Sequence, residues 1–127
     1  MIIVGENKIL GKNMNYYLID GIPSGRIKCT LATWTVVGYK IPRNMLVDCG
    51  NIPLLKQNGI YFLFSKFEGE KPLVYVGQAG SRKNGEGILI RLKEHHAAPK
   101  VGLENWTEAI AFTTTNNTHG ATDISWL

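Results

Sequence analysis

The sequence predicts an α+β fold, in which a small N-terminal antiparallel β unit precedes a β-β-α-β-α core. Polar and apolar residues alternate over residues 26–31, which is the period of a half-buried strand. Strand-forming runs at residues 60–64 and 73–76 flank a turn-prone stretch, and residues 88–96 carry apolar side chains at helical spacing. A chain of 127 residues with 44% hydrophobic content is sufficient for about one domain with a buried core.

Residues 1–56 are predicted to be a small, basic, β-rich region. Runs rich in aromatic, aliphatic and β-branched residues predict three strands, at residues 15–19, 26–31 and 33–41. Turn residues separate the first two, and Pro42 ends the third because proline cannot donate to a sheet. The three strands therefore indicate an antiparallel β unit.

Two short helices are expected after these strands. One covers residues 44–49, and the other covers residues 52–56, with Asn51 as its cap and Pro53 in its first turn. Because about fifty residues cannot enclose a large core, the N-terminal region is expected to pack on the residues that follow.

Residues 57–127 contain the stronger pattern. The runs at residues 60–64 and 73–76 are joined by a turn-prone stretch and therefore predict a hairpin. Residues 77–87 contain four glycines and no apolar side chain larger than alanine, so they are predicted to form a loop. This loop lacks the Gly-Lys-Ser/Thr ending of a nucleotide-binding P-loop.

A helix, a third strand and the start of a second helix complete this part. The helix covers residues 88–96, and its spacing places four side chains on one face: Ile88, Leu89, Leu92 and His96. Residues 105–113 predict a strand, a polar loop follows, and a helix begins at Gly120.

Composition excludes several classes of protein. No apolar run approaches the roughly 18 residues that a membrane-spanning helix needs, and the N-terminus lacks the features of a signal peptide. Cys29 and Cys49 are too few and too far apart for a disulfide framework or a zinc knuckle. A reducing cytoplasm, in which both are buried thiols, is the simplest expectation.

The positive charge is unequally divided. Residues 1–56 hold seven basic and three acidic side chains, whereas residues 57–127 hold seven of each, so the net +4 of the chain belongs to the first part. One interpretation is a surface that faces the phosphates of a nucleic acid. The other is that the surplus only promotes solubility.

Three motifs follow one another in the second part. They are Gly59-Ile60-Tyr61, Tyr75-Val76-Gly77, and Arg91 with His95 four residues later. In this order they resemble the GIY-YIG nuclease family, and the resemblance covers residues 59–127. The segments at residues 105–112 and 121–127 are similar to a prokaryotic or phage-type branch of that family with an N-terminal β region.

The residue types suit phosphodiester hydrolysis independently of any family. Arg91 and His95 are four residues apart, so both project from one helix face. The arginine fork matches two phosphate oxygens, and histidine titrates near neutral pH. Tyr61 and Tyr75 come from neighbouring strands, so both hydroxyls can face one phosphate. An unperturbed tyrosine has a pKa near 10, so a nearby cation must lower that pKa if the phenol is to act as a base.

The resemblance implies a role for each candidate. Tyr61, Tyr75, Arg91 and His95 would be catalytic: one tyrosine activates or holds the water, and Arg91 clamps the scissile phosphate. Which tyrosine is the base stays open. The DNA backbone would be contacted by a further set, Gly77, Arg82, Lys83 and Lys93.

The resemblance also implies a divalent metal, Mg²⁺, and no small-molecule cofactor. In the similar branch the metal-ligating glutamate directly follows the pair matched by Trp126 and Leu127, with which this chain ends. Glu94, Glu104, Glu108 and Asp123 lie at other positions and are not assigned as metal ligands. We therefore expect a core that lacks its C-terminal helices, either because the sequence is part of a longer protein or because the domain is naturally incomplete. In both cases we expect the 127-residue chain to be nearly inactive by itself.

Two functions follow as expectations. The first is a metal-dependent DNA endonuclease, with DNA as the partner and no membrane association. The second is a non-catalytic nucleic-acid-binding or interaction module on the same scaffold. The net positive charge of residues 1–56 is the observation that suggests it.

Overall fold

The computed structural model describes residues 14–31, 35–65, 73–80 and 87–115. These residues form strands, one α-helix (α1, Gly87–Ala97) and two short 3₁₀ helices, Arg43–Cys49 and Pro53–Lys56. The strands are β1 (Met14–Leu18), β2 (Ile27–Leu31), β3 (Val36–Pro42), β4 (Gly59–Ser65), β5 (Leu73–Ala79) and β6 (Trp106–Thr114). The predicted α+β class is confirmed, and β1, β2 and β3 pair in antiparallel fashion as expected.

All six strands belong to one antiparallel sheet, in the order β1-β2-β3-β6-β4-β5. β6, the last of the described strands in sequence, lies in the middle of the sheet, where it pairs with both β3 and β4. The N-terminal strands and the hairpin of β4 and β5 are therefore continuous through β6. The boundary predicted at residue 56 falls between the second 3₁₀ helix and β4.

The core lies on one face of the sheet. β3, β4 and β6 place alternate side chains there, and the buried side chains of α1 and of both 3₁₀ helices join the same cluster. Residues on both sides of position 56 contribute, among them Val37, Leu46, Leu63 and Leu92. As expected from its small size, the N-terminal β unit packs with the residues that follow it.

The opposite face of the sheet is also apolar. Phe62 stacks on Phe64 and meets Phe112 edge to face, with ring centroids 6.5 and 6.1 Å apart. Val76 and Tyr16, towards the two edges of this face, are 58% and 64% exposed. The buried side chains of the described helices cluster on the first face, so within the described ranges none of these helices contributes to the cover of this second face.

Two local predictions are wrong, those for Asn51 and Cys29, and the buried side of α1 includes His95, which the apolar spacing does not assign to it. Ile52, not Asn51, occupies the cap position of the second 3₁₀ helix, and it makes no side-chain capping bond. His95, not His96, is buried with the apolar residues of α1, because the Tyr61 ring of the hairpin covers that side of the last turn. Cys49 is buried as expected, but Cys29 is only half-buried because it faces the second side of the sheet; both are free thiols.

Other predictions fall outside the described residues. They include the turn between β4 and β5, most of the glycine-rich loop, and the helix expected from Gly120. Among the described residues, no helix has the length and hydrophobicity required to cross a membrane.

Replacement of Gly87 by alanine is expected to destabilise the protein by about 2–4 kcal/mol, because it combines backbone strain with overpacking. Gly87 begins α1 with φ of 57°, and a Cβ there would collide with the carbonyl of Gln57. That carbonyl already accepts a hydrogen bond from the Ile88 amide at 2.9 Å, so it cannot move freely.

Chemical denaturation would measure the loss at Gly87. Gly50→Ala is the matched control, since Gly50 has φ of −63° and no atom within 4 Å of an added Cβ. Equal free energies of unfolding for the two variants would contradict the expectation.

Candidate functional site

A cleft of about 280 Å³ opens between the hairpin of β4 and β5 and the C-terminal half of α1. All four residues predicted to be catalytic line it, although they come from three separate elements. The polar lining consists of Tyr61, Tyr75, Arg91, Glu94, His95 and Lys100. The sheet and the helix thus bring together a tyrosine pair, an arginine and a histidine.

Strand register explains why both tyrosines reach this cleft. Tyr61 on β4 lies opposite Gly77 on β5, and Tyr75 lies opposite Leu63, so the two tyrosines are diagonal neighbours on one face. Their ring centroids are 6.3 Å apart. Side chains two positions apart along a strand share a face, which is why the hairpin directs both rings towards α1.

Gly77, a predicted DNA-contact residue, packs against one of the catalytic candidates. The ring of Tyr61 lies directly over Gly77, and a Cβ there would collide with the tip of that ring. Glycine at this position therefore makes room for Tyr61, which is only 2% exposed. The contact is with the catalytic candidate itself.

Tyr61 and His95 share a hydrogen bond. The Tyr61 hydroxyl oxygen lies 2.9 Å from His95 Nε2, and the tautomer of the imidazole determines which group donates. The Tyr75 ring packs against the same imidazole, with centroids 5.1 Å apart, but no hydrogen bond joins the described atoms of Tyr75 to it. Of the two tyrosines, Tyr61 is therefore the one coupled to His95.

Burial keeps both members of this pair uncharged. It raises the pKa of Tyr61 above its usual value of 10; the neighbouring Tyr75 adds to this rise, and the positive charge of Arg91 opposes it. It lowers the pKa of His95 below its usual value of 6.5, and the charge of Lys100 lowers it further. At neutral pH the pair is a phenol beside a neutral imidazole, which can accept a proton.

Trp106 fixes the end of α1 that carries His95. Its indole Nε1 donates to the carbonyl of His95 at 3.2 Å, and its ring is buried at the start of β6. The Arg43 guanidinium lies over that ring, 4.6 Å from its centroid, and donates from Nε to His96 Nδ1 at 2.9 Å. The backbone of His95 is thus held by the core rather than by solvent-exposed groups.

Arg91 extends from α1 across the end of β5. One terminal nitrogen donates to the carbonyl of Gln78 at 3.1 Å, which orients the guanidinium. Its Nε is buried and, among the described residues, has no hydrogen-bond partner. Buried donors without partners are uncommon in folded proteins, and a cleft whose arginine retains such a donor is suited to an anion.

Of the remaining DNA-contact candidates, the structure describes Lys93 alone. Lys93 is exposed on α1 and lines a different groove, beside Arg43 and His96. Arg82 and Lys83 fall outside the described residues. Sequence reasoning missed three residues of the cleft lining, Glu94, Ala98 and Lys100. The first two lie three and seven residues after Arg91, a helical spacing that could have revealed them; Lys100 lies beyond the helix and carries no such signal.

Much of the positive charge of residues 1–56 is used within the molecule. Arg26 pairs with Asp20 at 2.7 Å, and its hydrogen bonds lower the pKa of that carboxyl group to about 2. The Lys40 ammonium lies 3.8 Å from Glu108. Arg43 donates to the carbonyls of Glu104, Trp106 and His96. Of the five basic side chains that the structure describes in residues 14–56, these three thus form ion pairs or hydrogen bonds with the chain's own groups. The Lys28 ammonium lies over the Tyr17 ring, 5.9 Å from its centroid.

The described part of the cleft offers one carboxylate, that of Glu94. No cluster of three or more histidine, cysteine, aspartate or glutamate side chains with metal-binding geometry occurs within the described ranges. Mg²⁺ commonly uses one or two carboxylates together with substrate phosphates and water. Glu94 and the hydroxyl groups of the tyrosines are therefore compatible with a metal but do not define its site.

Comparison of the chain with protein-family models, with curated proteins and with solved structures finds no match.

Proposed function

We propose that this protein is a metal-dependent DNA endonuclease of the GIY-YIG type, which hydrolyses phosphodiester bonds in the cleft between the hairpin and α1. The observation that carries the proposal is the hydrogen bond between Tyr61 and His95, beside Arg91. The order of the described elements β4, β5, α1 and β6 agrees with the β-β-α-β order that the resemblance implies.

Tyr61 and His95 would activate the attacking water. A phenol whose pKa is raised by burial is protonated at neutral pH, so it cannot act as a base alone. A water beside Tyr61 can transfer its proton to the phenol oxygen while the phenol transfers its own to His95 Nε2. The neutral imidazole accepts that proton, and the hydroxide is left to attack phosphorus.

Arg91 would hold the phosphate. Its guanidinium is always charged and is oriented by the Gln78 carbonyl. A phosphate oxygen would supply the partner that Nε lacks among the described residues, and a second oxygen can reach another N–H of the fork. These bonds strengthen as negative charge develops on the phosphorane oxygens, which stabilises the transition state.

A bound Mg²⁺ would stabilise the negative charge that develops on the leaving oxygen. By the resemblance its principal ligand is a glutamate after Leu127. Any contribution from within the described cleft would come from Glu94.

Replacement of Arg91 by alanine is expected to lower DNA cleavage by about 10²-fold, because the variant loses its phosphate donors in the transition state. The assay measures Mg²⁺-dependent nicking of supercoiled plasmid. It uses the full-length product of the gene, called the extended chain below, because the resemblance expects the metal ligand after Leu127. Arg91→Lys keeps the charge without the fork and should recover only part of the rate.

Cleavage by the extended chain that does not require Mg²⁺ would argue against the proposal. Cleavage that Arg91→Ala leaves unchanged would do so as well. Circular dichroism of each variant verifies that the fold is retained. Removal of the metal with EDTA should abolish nicking and leave the spectrum unchanged.

The alternative is a non-catalytic nucleic-acid-binding module that uses residues 1–56. The net charge of +4 on residues 1–56 suggests this alternative. Arg26, Lys40 and Arg43, however, already contact groups of the same chain. DNA binding that weakens steeply with salt, together with no cleavage by the extended chain, would favour this alternative.

A further inference from the structure

Lys100 occupies the rim of the cleft but is not part of α1. The helix is closed by a hydrogen bond from the Ala98 amide to the Glu94 carbonyl at 2.8 Å. The following turn is closed by a bond from the Leu103 amide to the Lys100 carbonyl at 2.9 Å. These bonds fix the backbone of Lys100, while its side chain is exposed to solvent and lines the cleft.

The Lys100 ammonium lies close to the reactive pair. Its Nζ is 5.7 Å from the centroid of the Tyr75 ring, within the range of a cation–π contact. That ring packs against both His95 and Tyr61, with centroids 5.1 and 6.3 Å away. Lys100 and Arg91 are the two cations that line the cleft, and Glu94 is the one carboxylate among the described lining residues.

We propose that Lys100 is a second phosphate-binding residue, which contacts a non-bridging oxygen of the same phosphodiester that Arg91 holds. The identification of that anion as a DNA phosphodiester rests on the proposed function. The two cations have complementary properties. Arg91 is a planar fork held by the Gln78 carbonyl, whereas Lys100 is a point charge on a flexible stem that can follow an oxygen as the phosphate changes geometry.

The positions of the charges support this assignment. The positive charge of Lys100 is felt at His95, since it is the largest contribution after burial to the lowered pKa of that residue. Arg91 acts on the imidazole in the same direction, and Glu94 acts in the opposite one. Arg91, Lys100 and Tyr61 line the same cleft, so an anion bound by both cations would share that cleft with Tyr61.

Lys100→Met tests the proposal, because methionine retains an apolar stem and removes the charge. Affinity for inorganic phosphate, followed by NMR of the His95 imidazole in the 127-residue chain, is expected to fall about tenfold, as for loss of a hydrogen bond to a charged group. For a short DNA duplex without Mg²⁺, the slope of log K against log salt should decrease by about one. Lys100→Arg should restore both.

The titration of His95 provides an independent check that the side chain is where the structure places it. Its pKa should rise in Lys100→Met, since a nearby positive charge has been removed, and should stay the same in Lys56→Met, whose charge lies outside the cleft. A shift of the His95 titration with unchanged phosphate affinity would overturn the proposal.

The outcomes separate this proposal from the endonuclease. If Lys100→Met binds phosphate less tightly but the extended wild-type chain does not cleave DNA, the phosphate site is supported and the endonuclease proposal is contradicted. Wild-type affinity in Lys100→Met would reject the role of Lys100, even if the extended chain cleaves DNA. Failure of the wild-type 127-residue chain to bind phosphate or duplex would reject the phosphate site, whereas the endonuclease would still be judged by Mg²⁺-dependent cleavage with the extended chain.

Discussion

Replacement of Tyr61 by phenylalanine is expected to reduce DNA cleavage by about 10²–10⁴-fold, the range for loss of a general acid–base group. The variant keeps the ring that fills the space over Gly77 but removes the hydroxyl that is bonded to His95 Nε2. The route from water to His95 is then interrupted, while the core packing is preserved. Initial rates of plasmid nicking by the extended chain measure the loss.

Tyr17→Phe is the matched control for Tyr61→Phe. Tyr17 is 51% exposed on β1, away from the cleft, so loss of its hydroxyl should leave the rate unchanged. Tyr75→Phe should have a smaller effect than Tyr61→Phe, because no described hydrogen bond connects Tyr75 with His95. If Tyr75→Phe caused the larger loss, the assignment of Tyr61 to the water would be wrong.

Replacement of Gly77 by alanine is expected to reduce cleavage by about 10²-fold, as for a misplacement of about 1 Å in a catalytic group. The added Cβ would collide with the tip of the Tyr61 ring, which would have to move away from His95. Because that ring is buried, the variant should also lose about 1–3 kcal/mol of stability through overpacking. Nicking rates and denaturant unfolding measure the two effects.

Gly80→Ala is a matched control for Gly77→Ala, because an added Cβ at Gly80 has no atom within 4 Å. A double-mutant cycle sharpens the test. In the Tyr61→Phe background there is no catalytic hydroxyl left to displace, so Gly77→Ala should lower the rate little further. Fully additive losses would show that Gly77 acts independently of Tyr61.

The short-range features of the protein could be predicted from its sequence. The strand runs, the hairpin and α1 were placed to within a few residues, since side-chain periodicity of two or 3.6 reports directly on which residues share a face. The same periodicity placed Arg91 and His95 on one side of the helix. The pairing of β6 with both β3 and β4 was not predicted, because contacts between distant segments leave no periodic signal.

His95 and His96 show where periodicity stops being sufficient. By rotation around α1, His96 lies with the apolar positions, yet it is exposed beside Arg43, whereas His95 is buried against Tyr61. Periodicity assigns a residue to a face, but the neighbouring element decides which turns of that face are covered. Lys100 was missed for a related reason, because it reaches the cleft from a loop whose path depends on tertiary contacts.

The sequence by itself determined the chemical groups available to this protein: two tyrosines, an arginine and a histidine at hairpin and helical spacing. Only the tertiary structure decided which tyrosine is bonded to His95, why Gly77 must be glycine, and that Lys100 joins Arg91 at the cleft. The physical reason is that local spacing is set by backbone geometry within one element. Hydrogen bonds, burial and the resulting pKa shifts depend on how separate elements pack together.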